Sequence, residues 1–113
     1  MSFDNDFAKK IIGYTVVVGF NHLSKQGVLL RKSQRHGVIV EADEKGIVIR
    51  QPDGERLVLP PDFAAMALAK PGVYTLRSTK EKIENPAYTI QWDIWGDGEP
   101  DVTWRPSENA KPA

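Results

Sequence analysis

Cysteine is absent from the chain, which removes disulfide bridges and every thiolate metal site. A fold without such staples must rely on an apolar core. The 113 residues suffice for one domain that hides roughly two-thirds of its unfolded surface. Net charge is absent as well, because 15 Lys and Arg balance 15 Asp and Glu. Proteins that wrap duplex nucleic acid usually carry a basic excess, so that class is disfavoured. No run approaches the roughly 20 apolar residues of a membrane helix. The opening MSFDNDFAKK lacks the apolar stretch of a secretory signal. These absences predict a cytoplasmic protein without membrane contact. Histidine is scarce, with only His22 and His36, and a two-histidine metal centre needs carboxylates at positions the spacing does not supply. No glycine-rich loop precedes a helix, and no serine or threonine sits in a nucleophile elbow. With no nucleophile, base and orienter to assemble, the chain reads as non-enzymatic, with no metal and no cofactor.

What is present is a β pattern, centred on residues 37–60. Val38-Ile39-Val40, Ile47-Val48-Ile49 and Leu57-Val58-Leu59 are three β-branched or aliphatic runs. Asp43-Glu44-Lys45-Gly46 and Gln51-Pro52-Asp53-Gly54 lie between them as turn signals, and Pro60-Pro61 ends the last run. Each run carries apolar residues on both faces, so the meander is expected to be covered on both sides. Ile39, Val48 and Val58 are the residues expected to need that second cover.

The remaining chain fits around this meander. Residues 1–10 read as a flexible arm, in which Phe3 and Phe7 suggest one helical turn. Residues 11–23 alternate, with Ile12, Tyr14, Val16, Val18 and Phe20 on one face, and predict a strand with a bend or bulge at Gly13 or Gly19. Val28-Leu29-Leu30, then a polar stretch to His36, then Gly37, predict one long bent strand. Asp62 can cap a short helix or 3₁₀ turn over the alanines that follow, ended by Pro71. Residues 72–78 form a further strand, 79–86 a loop, and 87–95 a strand with Tyr88, Ile90, Trp92 and Ile94 inward. The acidic residues 97–113 read as a disordered tail. The domain is therefore residues 11–96, and its class is mainly β: a small SH3-like barrel of five to six antiparallel strands with one short helix or 3₁₀ turn.

The set HGVIVEADEKGIVI, QPDGERLVLPPDF, KPGVYTLRST and ENPAYTIQW resembles a family of short uncharacterised bacterial proteins. The resemblance covers residues 11–95. It implies a small barrel of the SH3-like or Sm-like kind and assigns no chemistry to any residue.

Six residues stand out as binding candidates. Arg31, Lys32, Arg35 and His36 gather cations that suit a phosphate or an acidic partner. The same residues on a solvated edge strand would deter edge pairing. Arg77 could hold an anion, or pair with Glu81 or Glu84. Trp95 falls on the polar face of its strand and suggests a contact surface, unless Trp104 folds back to cover it. The acidic pairs at Asp43-Glu44 and Asp53/Glu55 lie in hairpin turns and serve the backbone. The leading expectation is an interaction module that binds a protein partner or a second copy of itself. An Sm-like RNA-associated barrel is the alternative, and a partner-inhibiting protein of the immunity kind is a weaker one.

Overall fold

The computed structural model describes residues 4–77, 79–96 and 102–107. One helix, α1 (Asn5–Ile11), precedes nine strands: β1 (Thr15–Leu23), β2 (Leu29–Asp43), β3 (Gly46–Arg50), β4 (Arg56–Leu59), β5 (Met66–Leu68), β6 (Val73–Thr75), β7 (Lys82–Glu84), β8 (Tyr88–Trp95) and β9 (Thr103–Pro106). A 3₁₀ turn, Phe63–Ala65, leads into β5. The fold is mainly β, with one curled half-barrel sheet and a small second sheet. In the main sheet the order is β4-β3-β2-β1-β8-β5, and β9 also pairs with β8; β6 and β7 form the second sheet alone.

The long bent strand is the organising element. Residues 29–38 of β2 pair with β1, and residues 38–43 pair with β3, so one strand serves both halves of the sheet. Gly37 sits at the handover because only a missing side chain fits. A Cβ there would collide with the Arg50 carbonyl and lie 2.8 Å from Ile49 Cγ2. The ladder to β3 slips between Ile39 and Glu41, a bulge that adds curl. The slip in the β1–β2 ladder lies at His22/Leu23, beside neither Gly13 nor Gly19.

Cross-strand register sorts the side chains. Ile39 pairs with Ile49, which pairs with Leu57, and Ile47 pairs with Leu59. Ile39, Ile47, Ile49 and Leu59 are fully buried and meet Val16, Val18, Phe20, Ile90, Trp92 and Ile94 in one core. Each such side chain contributes about 1.5–3 kcal/mol through lost water contact. Ile39 thus belongs to the inner face, and of the three residues expected to need a second cover only Val48 and Val58, opposite one another, lie on the outer face. Val58 is 58% exposed, so that face is open. The face that is covered on both sides belongs to β1: Val17, pointing outward, is buried against Leu76 and Ile83 of the β6–β7 sheet and its flank.

Three further expectations change. Residues 5–11 of the arm form a helix, capped by the Asp4 carboxylate accepting from the Phe7 N–H at 3.0 Å. Phe7 packs edge-on to Phe63 at 4.8 Å and to Tyr88 at 6.0 Å, so the helix is docked on the core. Ile12 and Tyr14 consequently lie before β1 and are about half exposed. Within the tail, Thr103–Pro106 forms β9; residues 97–101 and 108–113 lie outside the described residues, as do 1–3 and Ser78. The loop at 79–86 contains β7, paired with β6.

One pairing breaks the antiparallel rule. β8 runs parallel to β1, from Val16 opposite Tyr88 to Leu23 opposite Trp95. Its other edge is divided end to end: β5 takes residues 88–90 and β9 takes 92–95. Met66–Leu68, an alanine-flanked segment that suits a helix, becomes a strand because β8 offers it an unpaired edge. Among the described residues no helix is long and apolar enough to cross a membrane.

Candidate functional site

The basic cluster read from residues 31–36 is split by the pleat. Arg31 stands opposite His22 and Arg35 opposite Val18, on the inner face of the sheet; Lys32 stands opposite Asn21 and His36 opposite Val17, on the outer face. Arg31, Lys32 and Arg35 are exposed, while His36 is half-buried. His36 is held by Glu81, its Nε2 lying 2.8 Å from Glu81 Oε2. The His36 hydrogen bond, with help from the Thr79 hydroxyl, lowers the Glu81 pKa below its ordinary value. Glu81, one of the two carboxylates expected to pair with Arg77, pairs with His36. The Arg77 backbone N–H instead donates to the Gln34 side-chain carbonyl.

On the outer face the register across four strands sets Lys32, Asn21, Asp93 and Arg105 in one row. Asn21 Nδ2 donates to Asp93 Oδ1 at 2.9 Å. The next row holds Leu29, Leu23, Trp95 and Thr103. These rows line a hollow of about 480 Å³. A second hollow of about 260 Å³ adjoins it at Trp95 and Arg105 and is bordered by Lys25. A third, of about 360 Å³, adjoins at Lys32 and is lined by Ser33, Gln34 and Arg77. The three together make a trough with Lys25, Arg105, Lys32 and Arg77 along it. Asp93, already bonded to Asn21, is the one carboxylate lining these three; a further hollow of about 190 Å³ adjoins at Gln34 and sets Asp53 and Glu81 beside Arg35 and His36.

Trp95 forms part of the trough wall and is not a bare platform. The Arg105 guanidinium stands over its ring, 5.4 Å from the centroid. Gly27 lies against the ring edge, where an added Cβ would be 2.9 Å from Cζ3. Trp104 faces the other way, packing on Phe20 at 5.7 Å and Trp92 at 5.9 Å. The tail does fold back, with Trp104 covering Trp92 and Arg105 covering Trp95.

Sequence reasoning found Lys32, Arg77 and Trp95; it missed Lys25, and it missed Asn21, Asp93 and Arg105. These become neighbours only through the parallel β1–β8 pair and the β8–β9 pair, which alternation along a single strand does not reveal. Among the described residues no group of three His, Asp or Glu could hold a metal ion. Comparison with family models, with curated proteins and with solved structures finds no match to the chain.

Proposed function

We propose that this chain is a non-enzymatic interaction module that binds an acidic protein segment in the outer trough. The observation that supports the reading is the concentration of Lys25, Lys32, Arg77 and Arg105 around one connected set of hollows in a chain whose net charge is zero. Cations gathered on one face attract an anionic partner and speed its encounter. A protein segment suits the trough better than single-stranded RNA. Base recognition on sheets uses aromatic rings with an open face, and Trp95 is flanked by Arg105 and Gly27. A reducing compartment such as the cytoplasm suits a chain without cysteine.

The test is a titration at low salt, read by fluorescence anisotropy, with a labelled octapeptide alternating glutamate and valine. Octauridylate RNA and a lysine–valine peptide serve as comparisons. The acidic peptide is expected to bind, and Lys32→Glu or Arg105→Glu to weaken it at least tenfold. Tighter binding of the RNA would replace this reading with the Sm-like one.

A second reading, self-association, is favoured by the outward Val48–Val58 pair. Light scattering at tens of micromolar tests it, and a clean monomer would remove it.

A further inference from the structure

Between Leu29 and Gly37, β2 has a neighbour on one side only among the described strands, because the ladder to β3 begins at Val38. The direction of its backbone groups follows from one bond. The Ile39 N–H donates to the Tyr14 carbonyl, on the β1 side. Alternation then turns the N–H and C=O of Lys32, Gln34 and His36 away from β1, toward the unoccupied edge. A hollow lies along that edge. The third hollow of the trough is lined by the consecutive residues Lys32, Ser33 and Gln34, whose side chains point to opposite faces. A cavity that touches both faces of a strand in succession runs along its rim. Arg77 closes the far side.

We infer that this edge of β2 receives the acidic segment as an added strand, pairing main chain to main chain across Lys32–His36. The inference rests on the trough reading above and supplies its binding mode. An exposed edge is a template for an incoming strand, with hydrogen bonds giving affinity and side chains giving selection. The charge of the edge selects the occupant. No Asp or Glu occurs from Phe7 to Val40, whereas that stretch holds Lys9, Lys10, Lys25, Arg31, Lys32 and Arg35. A second copy adding here would set the β2 cations of both chains against each other. A strand carrying carboxylates meets Lys32 on the outer face and Arg31 and Arg35 on the inner one, while Asp53 and Glu81 border the His36 end of the edge and restrict the carboxylates to its Lys32 end. Leu30, 53% exposed at the start of the edge, offers apolar cover to the same strand.

The experiment uses the full chain and two versions of the glutamate–valine octapeptide, one with every backbone amide N-methylated. Methylation keeps the charge and removes all main-chain donors. The expected result is at least a tenfold loss of binding on methylation. Gln34→Pro in the protein, which removes an outward N–H without touching the β1 ladder or the charge, is expected to give a similar loss. Gln34→Ala, which loses the same side-chain bond to Arg77 but keeps the N–H, sets the baseline, and Gln34→Pro is expected to bind at least fivefold more weakly than it. Circular dichroism and amide spectra establish that Gln34→Pro retains the fold; if it does not, the methylated peptide decides alone. Equal binding of both peptides overturns strand addition and leaves the trough reading standing. No binding of either peptide overturns both.

Discussion

His36 on β2 and Glu81 beside β7 are joined by a 2.8 Å hydrogen bond that fastens the small sheet onto the outer face of the main one. The bond has a defined pH dependence. Glu81 in the folded chain has its pKa lowered from 4.5 by His36 and Thr79. A depressed carboxylate stabilises the folded state above its ordinary pKa and loses that contribution as pH falls through the folded value. The fastening therefore holds at neutral pH and releases below about 4.5. Hydrogen exchange at the Leu76 and Lys80 amides, which bond to Glu81 and Leu76 carbonyls, is the readout. After correction for intrinsic exchange, protection should fall in that acid window in wild type. In Glu81→Gln it should be low throughout and nearly flat with pH; an unchanged profile would count against the fastening role.

Two glycines should lose stability on substitution for different reasons. Gly37 faces the Arg50 backbone, which cannot move aside without breaking the β2–β3 ladder. Gly37→Ala is expected to cost about 1–3 kcal/mol or more, the overpacking range. Gly54 has open space around it and a φ of +88°, so Gly54→Ala meets only the left-handed penalty, about 1–2 kcal/mol. Urea midpoints compare the two, with Gly37→Ala expected to be the lower.

The inward tail can be measured through its indole. Trp104 touches Phe20 and Trp92 edge-on, contacts that contribute about 0.5–1.5 kcal/mol beyond burial. Trp92 is 2% exposed, and Trp92→Ala should cost about 3–5 kcal/mol. Trp104→Ala should destabilise less than Trp92→Ala, and the double variant should fall short of the sum because the two side chains touch. A strictly additive result in urea denaturation would separate β9 from the core.

Asp62 illustrates a local signal that survives a change of context. Its carboxylate accepts from the Ala64 N–H at 2.9 Å, as a cap should. Asp62→Ala is expected to lower stability by about 1 kcal/mol in chemical denaturation, and Asp62→Asn to lower it much less.

Such local signals account for most of what could be read from residues alone. Alternation located β1 and β8 and their inward faces, and glycine after a polar stretch located the bend in β2. β7 escaped because Lys82-Ile83-Glu84 holds one apolar residue, and β9 because Thr103–Pro106 is short, polar and proline-ended. Strands of that kind exist only because a neighbour supplies hydrogen bonds. Alternation also says which face a side chain takes and nothing of which strand lies beside it. Alternation thus sorts each meander run into two faces, while the Ile39–Ile49 pairing, which no single run reveals, sets Ile39 inside with Ile47 and Leu59. The trough suffered most from this limit, since Asn21 and Asp93 lie 72 residues apart.

That separation has a consequence for how the chain is made. β1 leaves the ribosome long before β8, its parallel neighbour. The early hairpins β1–β2 and β3–β4 can close locally, but Val16, Val18 and Phe20 then wait beside an empty flank. Only when β8 emerges can it join β1, and β5 and β9 take their places on β8's other side. Closing so large a loop before its contacts form slows the final step and leaves apolar edges open meanwhile. The half-made chain is accordingly the form most prone to aggregate, because Val16, Val18 and Phe20 stay uncovered until β8 and its neighbours arrive.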